Sequence, residues 1–522
     1  MQAWVENEMD GLDLGDSRLN DRCVAIISAL GSKPSLSIPA ACNGWAETQA
    51  TYRFFANDSV TPEAIMKPHR DATLKRMSQE SVVVLAQDTT VLNLTRPSEQ
   101  IAGAGPLSDE HNHGMFNHTG LAVNADGIPL GVCFSQFWVR DWETFLANKQ
   151  LTKSQKAVAK RKVPYAEKES YRWLEGYMHG CEAARKCPDT QIIVVSDSEA
   201  DIADCFTYAN EIRANQERSA DWITRAFQDR ALVDCAEHHK LWQACQSAPV
   251  LTTIEIEVSE NKPQSGDKTK RNQARQARTT QVEVRAVAVT VNGQPRVEGK
   301  LAPQTVNVVY MRELNPPEGE KPIEWLLLTS LDISTVENVL LVIRYYVLRW
   351  KVEIYFRVLK VGCGVEELQF ERIERYQRCL AVYMVVAWRV FHLMMMGRTC
   401  PEISCESVLA PEEWKALYAI ASKQASRAGD RTDTWRGTNP NCKTRRLLSS
   451  QGRWAAWSPV DLDRSAAPAR LRTCLECVRP RRQGARTYLC VTGRAGAWER
   501  GIDGLGSPSY VRPGDEIAGG CV

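Results

Sequence analysis

Two aspartates close apolar runs in this sequence. Asp88 follows VVVLAQ inside the cluster QDTT, and Asp197 follows IIVVS inside SDSEAD. A buried strand ending in polar residues delivers them to a cleft, and ligands gather at the carboxyl ends of strands in open α/β sheets. Either aspartate alone could simply cap a turn; two such clusters in one chain weaken that reading. A third acid, Glu353, lies in YYVLRWKVEIYFRVLK with Tyr346, Arg349 and Lys360. At about 100° per residue these four fall near 0°, 300°, 340° and 320° for Tyr346, Arg349, Glu353 and Lys360, a stripe about 60° wide. Trp350, Ile354, Phe356 and Leu359 make much of the remaining circumference apolar. A glutamate between an arginine and a lysine on a largely buried helix needs a charged partner, such as a metal ion or a phosphate. Three carboxylates from two strand ends and one helix could hold two hard divalent cations. Such a pair activates a water or hydroxyl and stabilises the leaving oxygen of a phosphodiester. Arg349 and Lys360 would then neutralise phosphate oxygens.

The elements that must position these groups follow from periodicity. Residues 1 to about 75 read as helices, with LGDSRLNDRCVAIISAL and WAETQATYRFFAN showing apolar spacings of three and four. From 80 to about 225 strand and helix mix. VVVLAQDTTVLNL is a buried strand, GLAVNADGIPLGVCFSQFWVR a hairpin around Asp126-Gly127, and QIIVVSDSEADIADCF a strand entering a helix. Between 250 and 330, TTIEIEVS, QVEVRAVAVTVNG, TVNVVYM and EWLLLTS read as strands, the first three with a period of two. Residues 334 to 400 return to helix.

Composition excludes several classes. The chain has 522 residues, 43% of them apolar, and a net charge of +2, so it can build real cores and is not a uniformly basic nucleic-acid binder. The most apolar run, Leu380 to Met396, is broken by Arg389 and His392 and reads as a buried helix, and MQAWVENEMD lacks the features of a signal peptide. Seventeen cysteines without regular spacing suit reduced thiols. The segment HNHGMFNH, with His111, His113 and His118, has no partner pair at zinc spacing and reads as a loop with incidental histidines. Cys474-x2-Cys477, with Cys490 beyond it, also lacks a second pair.

Tyr-x2-Arg-x3-Glu-x6-Lys, here Tyr346, Arg349, Glu353 and Lys360, resembles the signature of the IS-four group of bacterial insertion-sequence transposases, of the Tn-five type. LGDSR from Leu14, ATYRFFAN from Ala50, QDTT around Asp88 and DSEADI from Asp197 resemble its other blocks, in order; the likeness covers roughly residues 4 to 423. It implies an α/β fold with an RNase H-like catalytic core, in which Asp88, Asp197 and Glu353 form a DDE triad binding two Mg²⁺ ions, with Mn²⁺ able to substitute. It implies cut-and-paste transposition by strand nicking, a hairpin intermediate, resolution and strand transfer. Trp325 matches the family position that stabilises a flipped base; read alone, it is an inward strand aromatic. Arg225 matches an arginine near the active site; read alone, it is a surface charge. The amino-terminal helices would bind the transposon end, with Arg18, Arg22, Arg53, Lys67, Arg70, Lys75 and Arg76 as phosphate contacts or merely a solvated face. The partners implied are double-stranded DNA, both inverted-repeat ends and target, and a second copy in a synaptic homodimer, with no membrane and a cytoplasmic, nucleoid-associated location. The regions expected are an end-binding domain at 1–75, a first part of the core at 80–228, a β-rich insertion at 229–330, and the last catalytic and carboxyl-terminal helices at 331–423. The run KTKRNQARQAR within the insertion is either a basic hairpin tip on DNA or a solvated loop.

From Gln424 to Val522 the chain changes character, with sixteen arginines against one lysine, two isoleucines and no phenylalanine. Neither the residues nor the period of a core is present, and 424–522 reads as a disordered tail. Members of the family end in a block resembling LGGFLxRKxDGxPG, which this frame lacks. Back-translation of QGRWAAWS, from Gln451 to Ser458, permits KGDGQPGP one base later, and RRLLSSQ from Arg445 permits GGFLARK. A single-base frame change near Gln424 accounts for both; a native basic arm is the alternative. Because the family's carboxyl-terminal helices pair two copies, such a chain would be impaired in synapsis. A non-cutting DNA-binding inhibitor is therefore the competing function. An RNase H-like ribonuclease would share the carboxylates without explaining Trp325, the Tyr-Arg-Glu-Lys stripe or the amino-terminal helices.

Overall fold

Capping residues set the amino-terminal helices. The computed structural model describes residues 2–233, 238–260, 276–297, 299–400, 409 and 415, with the backbone of 488–491. Helices α1 (Ala3–Glu8), α2 (Ser17–Ser32), α3 (Ile38–Ala41), α4 (Trp45–Ala56) and α5 (Pro62–Met77) come first. The Asp16 carboxylate accepts from Arg18 N at the start of α2. Thr61 accepts from Ala64 N at the start of α5, where Pro62 needs no donor partner. The LGDSR block is thus a helix start, and α2 buries Cys23, Ile26, Ile27 and Leu30 behind it.

Strands β1 (Val82–Asn93), β2 (Gly105–Pro106), β3 (His113–Asn124) and β4 (Pro129–Trp138) follow. The β3–β4 hairpin turns at Asp126-Gly127 as the sequence implies: Gly127 has φ +85°, and the Asn124 side chain accepts from Asp126 N and Ile128 N. Next come α6 (Trp142–Gln150), α7 (Lys153–Lys162), α8 (Arg172–Lys186), β5 (Gln191–Ser196), α9 (Ala203–Ala214), β6 (Asp221–Arg225) and α10 (Leu241–Ser247). The alternating segments form β7 (Val250–Val258), β8 (Arg278–Val291), the short pair β9 (Pro295–Arg296) and β10 (Gly299–Lys300), β11 (Gln304–Glu313) and β12 (Glu324–Thr329). Helices α11 (Val336–Leu348), α12 (Trp350–Arg357) and α13 (Ile373–Thr399) complete the described core, and β13 (Tyr488–Val491) pairs parallel with β7.

One mixed sheet runs β13-β7-β8-β11-β12-β6-β5-β1-β3-β2, with β4 also on β3. β1, β5 and β6 are mutually parallel, and the other pairs between β7 and β3 are antiparallel. The strands of 250–330 therefore extend the same sheet, because β12 pairs with β6. Alternate residues face opposite layers. Val83, Leu85, Ile192 and Val194 pack toward α8, α9 and α10; Val84, Ala86, Ile193 and Val195 pack toward α11, α12, α13 and the amino-terminal helices. Helix α13 is long and apolar enough to cross a membrane, yet 78% of its most apolar stretch is buried, as the interrupting Arg389 and His392 suggest. The ten described cysteines are free.

Two expectations change here. HNHGMFNH is no loop from His113 onward: it opens β3, and His118 is fully buried. Asp88 does not end its strand, since β1 continues to Asn93 against β3; what ends is its parallel pairing with β5, at Ala86↔Val195. The basic run at 268–278 falls mostly outside the described residues, as do the tail and the side chains of Cys474, Cys477 and Cys490.

Candidate active site

The period of two places the first two acids together. Ala86 and Val195 face the α11–α12 layer, and each aspartate lies two residues further along its strand direction, beyond the point where β1 and β5 part. Asp197 also does the bland job, accepting from Glu199 N to start the turn Ser198–Ala200. The Asp88 carboxylate accepts from Thr89 N at 2.7 Å.

The third acid arrives on α12. Arg349 joins α11 to α12 with helical dihedrals, so the stripe is continuous from Tyr346 through Glu353. Arg349 is 5% exposed; its Nη1 donates to Asp88 Oδ2 at 3.2 Å and its Nη2 to Glu353 Oε1 at 2.6 Å. One guanidinium thus bridges two of the three carboxylates. Burial pushes Asp88 well above the usual carboxylate range, with repulsion from Asp197 and Glu353 adding to it and Arg349 opposing. Glu353 is raised for the same reasons, by burial and by Asp197 against Arg349. Burial works against the Arg349 charge, but Glu353, Tyr346 and Asp88 more than restore it. The three acids therefore share one electrostatic site with an excess of negative charge.

Oxygen donors of this kind suit a hard divalent cation, which would relieve their mutual repulsion. Among the described residues, no three Asp, Glu, His or Cys side chains close around a single point. Arg349 takes one oxygen of Asp88 and one of Glu353, so a cation there would compete with the guanidinium or use the remaining oxygens.

Around this centre the sequence-derived residues divide. Arg225 ends β6 opposite Leu327 and lies within electrostatic reach of Tyr346, as does Asp197. Trp325 is 5% exposed and meets Tyr346 edge to face at 5.2 Å, so it is the inward strand aromatic that its position on β12 dictates. Stacking on a flipped base would need these rings to part. Lys360 leaves the stripe. It lies in a π-helical turn, Val358–Gly362, whose wider winding rotates it away. Its Nζ donates to Val91 O at 2.7 Å and pairs with Glu366 at 2.9 Å. Of the proposed phosphate contacts, Arg76 is spoken for: both its Nη atoms donate to buried Glu8 at 2.9 Å, and it stacks on Trp388. Arg22 pairs with Glu47, Lys67 with Asp71, Arg18 with Asp16, and Arg70 reaches Glu63 O. Arg53 is exposed on α4 beside Trp45, which is 74% exposed, and Lys75 is loosely paired with Asp10 at 3.9 Å.

The opposite face of the same strands carries a network that the sequence reading missed. His118 sits between Thr89 (2.9 Å) and Gln87 (3.1 Å), and Gln87 Nε2 donates to Ser196 Oγ at 2.8 Å. Arg172 donates to Thr89 Oγ1 at 2.9 Å and to Glu199 at 2.8 Å. This ties α8 to the residues flanking Asp88 and Asp197 and fixes the two strands against each other. Buried Asp201 accepts from Phe227 N and Gln228 N and pairs with buried Arg230, pinning the loop after Arg225. The signal was present: Glu199 and Asp201 are the remaining acids of SDSEAD, and His118 alternates correctly for an inward strand position.

Two family models match the chain. Residues 1–60 match the model described as transposase DNA-binding, and residues 385–430 match that of the transposase Tn5 dimerisation domain. Together they support a Tn5-like transposase that binds DNA and forms dimers. A piggyBac transposase, solved by cryo-EM as a synaptic complex with hairpin DNA, aligns with 80% of this chain and 73% of its own, at 10% identity and a TM-score of 0.34.

Proposed function

We propose that the chain is a DDE transposase of the IS-four group, working by cut-and-paste transposition: strand cleavage, hairpin formation, resolution and strand transfer. The observation that carries this reading is the meeting of Asp88, Asp197 and Glu353 around Arg349, with two of these acids raised by burial and mutual repulsion. The order β4-β3-β1-β5-β6, with β1, β5 and β6 parallel and β3 and β4 antiparallel, supports an RNase H-like core.

Two Mg²⁺ ions, or Mn²⁺ in their place, held by the three acids would supply Lewis-acid activation of a water or 3′-hydroxyl and neutralise the leaving oxygen. The chain's own groups do the rest. β1 and β5 fix the two aspartates on one face, and α12 lowers Glu353 onto them. Arg349, released from its carboxylates, is placed to take a phosphate oxygen by paired donors, and Arg225 stands on the same side of the sheet. Tyr346 and Trp325, once parted, would offer the apolar wall against which an unstacked base rests. Two copies would act on paired inverted-repeat ends before joining them to target DNA, in the nucleoid of a bacterial cytoplasm.

The dimerisation match runs to residue 430, just past Gln424, where the composition changes. A frame change near there would leave the three acids in place and weaken pairing, which gives the non-cutting inhibitor its foothold. A nicking assay on duplexes carrying the element's ends, with and without Mg²⁺, tests the reading. Metal-dependent nicking lost in Glu353→Ala is expected. End binding without nicking, in the unaltered chain, would instead leave the inhibitor.

A further inference from the structure

Helix α7, KSQKAVAKRK, carries Lys153, Lys156, Lys160, Arg161 and Lys162 and no acid. It buries nothing. Neighbouring Lys149 pairs with Glu110, but among the described residues no ion pair engages any of the five cations of α7. Lys153, Lys156 and Lys160 fall within about 60° of one another around the helix, a single stripe about 10 Å long.

The helix breaks local rules to hold these charges. Lys153 sits at the amino end, where the helix dipole opposes a cation, and Lys156 and Lys160 are like charges one turn apart. A full capping box, Thr152 with Gln155, holds the start nonetheless. Lys160, Arg161 and Lys162 in the last turn suit the dipole, so the conflict is confined to Lys153 at the start and the like-charged pair Lys156 and Lys160. Its place in the fold is also informative. Through α6 it is carried on the far end of β4, eight residues beyond Leu130 (about 27 Å of strand), where Arg76 of α5 is tied. Lys160 is within electrostatic reach of Glu169. Glu169 accepts from Arg140 and Trp138, and its carbonyl accepts from Arg172, the residue bound to Thr89 and Glu199 beside the two aspartates. The basic stripe thus lies two side chains from Thr89, the neighbour of Asp88, on the face of the sheet opposite the three acids.

We propose that α7 is the docking surface for target DNA, gripping the phosphate backbone of a duplex brought to the site for strand transfer. This rests on the transposase reading. Lysines and one arginine, with Gln155 spent on the cap, offer point charges and few groups that read base edges. That chemistry suits a duplex of arbitrary sequence better than a fixed transposon end.

The test replaces Lys153, Lys156, Arg161 and Lys162 with glutamine in the full chain, since glutamine keeps helix propensity. Binding is followed by fluorescence anisotropy across a salt series on two probes: a duplex of arbitrary sequence and one bearing the element's inverted repeat. The variant should bind the arbitrary duplex about tenfold or more weakly at roughly 0.1 M salt, with the salt slope flattened by about 0.9 for each phosphate no longer neutralised. It should hold the repeat within about twofold of the unaltered chain. Equal affinity and slope on the arbitrary duplex overturns the proposal. Equal losses on both probes overturn it too, making α7 an end-binding surface. Mg²⁺-dependent nicking of the repeat, run alongside, separates the two readings: if the unaltered chain nicks and the variant binds normally, only the α7 proposal falls. If the unaltered chain neither binds nor nicks, the transposase reading falls with it.

Discussion

Two buried arginine–carboxylate groupings in this molecule are built from the same residue types and behave in opposite ways. Beneath the amino-terminal helices, Glu8 is 4% exposed and accepts from both Nη atoms of Arg76 and from His69 Nδ1. Val132 N donates to His69 Nε2, so the ring carries its proton on Nδ1. Arg76 Nε is spent on Leu130 O. Burial raises Glu8, but His69 and Arg76 outweigh it and hold the carboxyl at about 2. At the candidate active site one arginine faces three acids, and there Asp88 and Glu353 are raised instead. The first group is closed: one acid, its donors matched. The second is short of positive charge. The difference is one of charge count as well as exposure, and it separates a tie between elements from a cluster of unbalanced acids.

Breaking each group should therefore cost different things. Replacing Glu353 or Asp197 by its amide should bring Mg²⁺-dependent nicking to background, a loss of several orders of magnitude, with little change in denaturation midpoint. A variant that still nicks would remove these acids from the chemistry. Glu8→Ala should do the reverse. It leaves buried His69 and half-buried Arg76 without their acceptor, and urea denaturation should show about 3 kcal/mol lost. A loss under about 1 kcal/mol would show that the knot is not closed.

How much of this was legible follows from the type of signal. The three acids, the hairpin at Asp126-Gly127 and the strands of 250–330 could be read because period and turn chemistry are local. Helical spacing also brought Arg349 and Glu353 to one face. What failed depended on partners distant in sequence. Lys360 was lost to a π-helical turn, which no residue pattern announces. Arg76 could be counted as basic, but only the fold reveals Glu8 beside it. His118 looked incidental until β3 placed it between Gln87 and Thr89. The basic helix α7 could have been found from charge alone, since KSQKAVAKRK stands out in a chain whose net charge is +2.

The two groups should also pull stability in opposite directions with pH. Glu8 is depressed in the folded state, so its contribution is present above the ordinary carboxylate range and is lost as pH falls from about 4.5 toward about 2. That difference is worth about 3 kcal/mol. Asp88 and Glu353 are raised, so the folded chain binds protons more readily than the unfolded one. Their contribution grows as pH falls from neutrality and is lost as pH rises through the raised range. Without divalent ions, the stability profile should therefore peak on the acid side of neutrality and fall on both flanks. Glu8→Gln should shrink the acid flank, which Glu169, Glu313 and the buried histidines His118 and His392 also feed, and Asp88→Asn with Glu353→Gln should flatten the other. A profile with both flanks unmoved by these variants would mean that other groups govern it.

The smallest effect discriminates most finely. Asp88→Asn removes a carboxylate repelled by Asp197 and Glu353, which favours the folded state, but also removes one acceptor from Arg349, which opposes it. Relief of the buried charge and of the repulsion offsets that loss, and Glu353 still holds Arg349 Nη2. Denaturation at neutral pH without divalent ions should find this variant within about 1 kcal/mol of the unaltered chain, on the stable side if on either. Glu8→Gln, with no repulsion to relieve and the donors of buried His69 and half-buried Arg76 weakened, should lie below it. Should Asp88→Asn instead be destabilised as much as Glu8→Gln, the carboxylate cluster would be a second structural tie, and its claim on a cation would lapse.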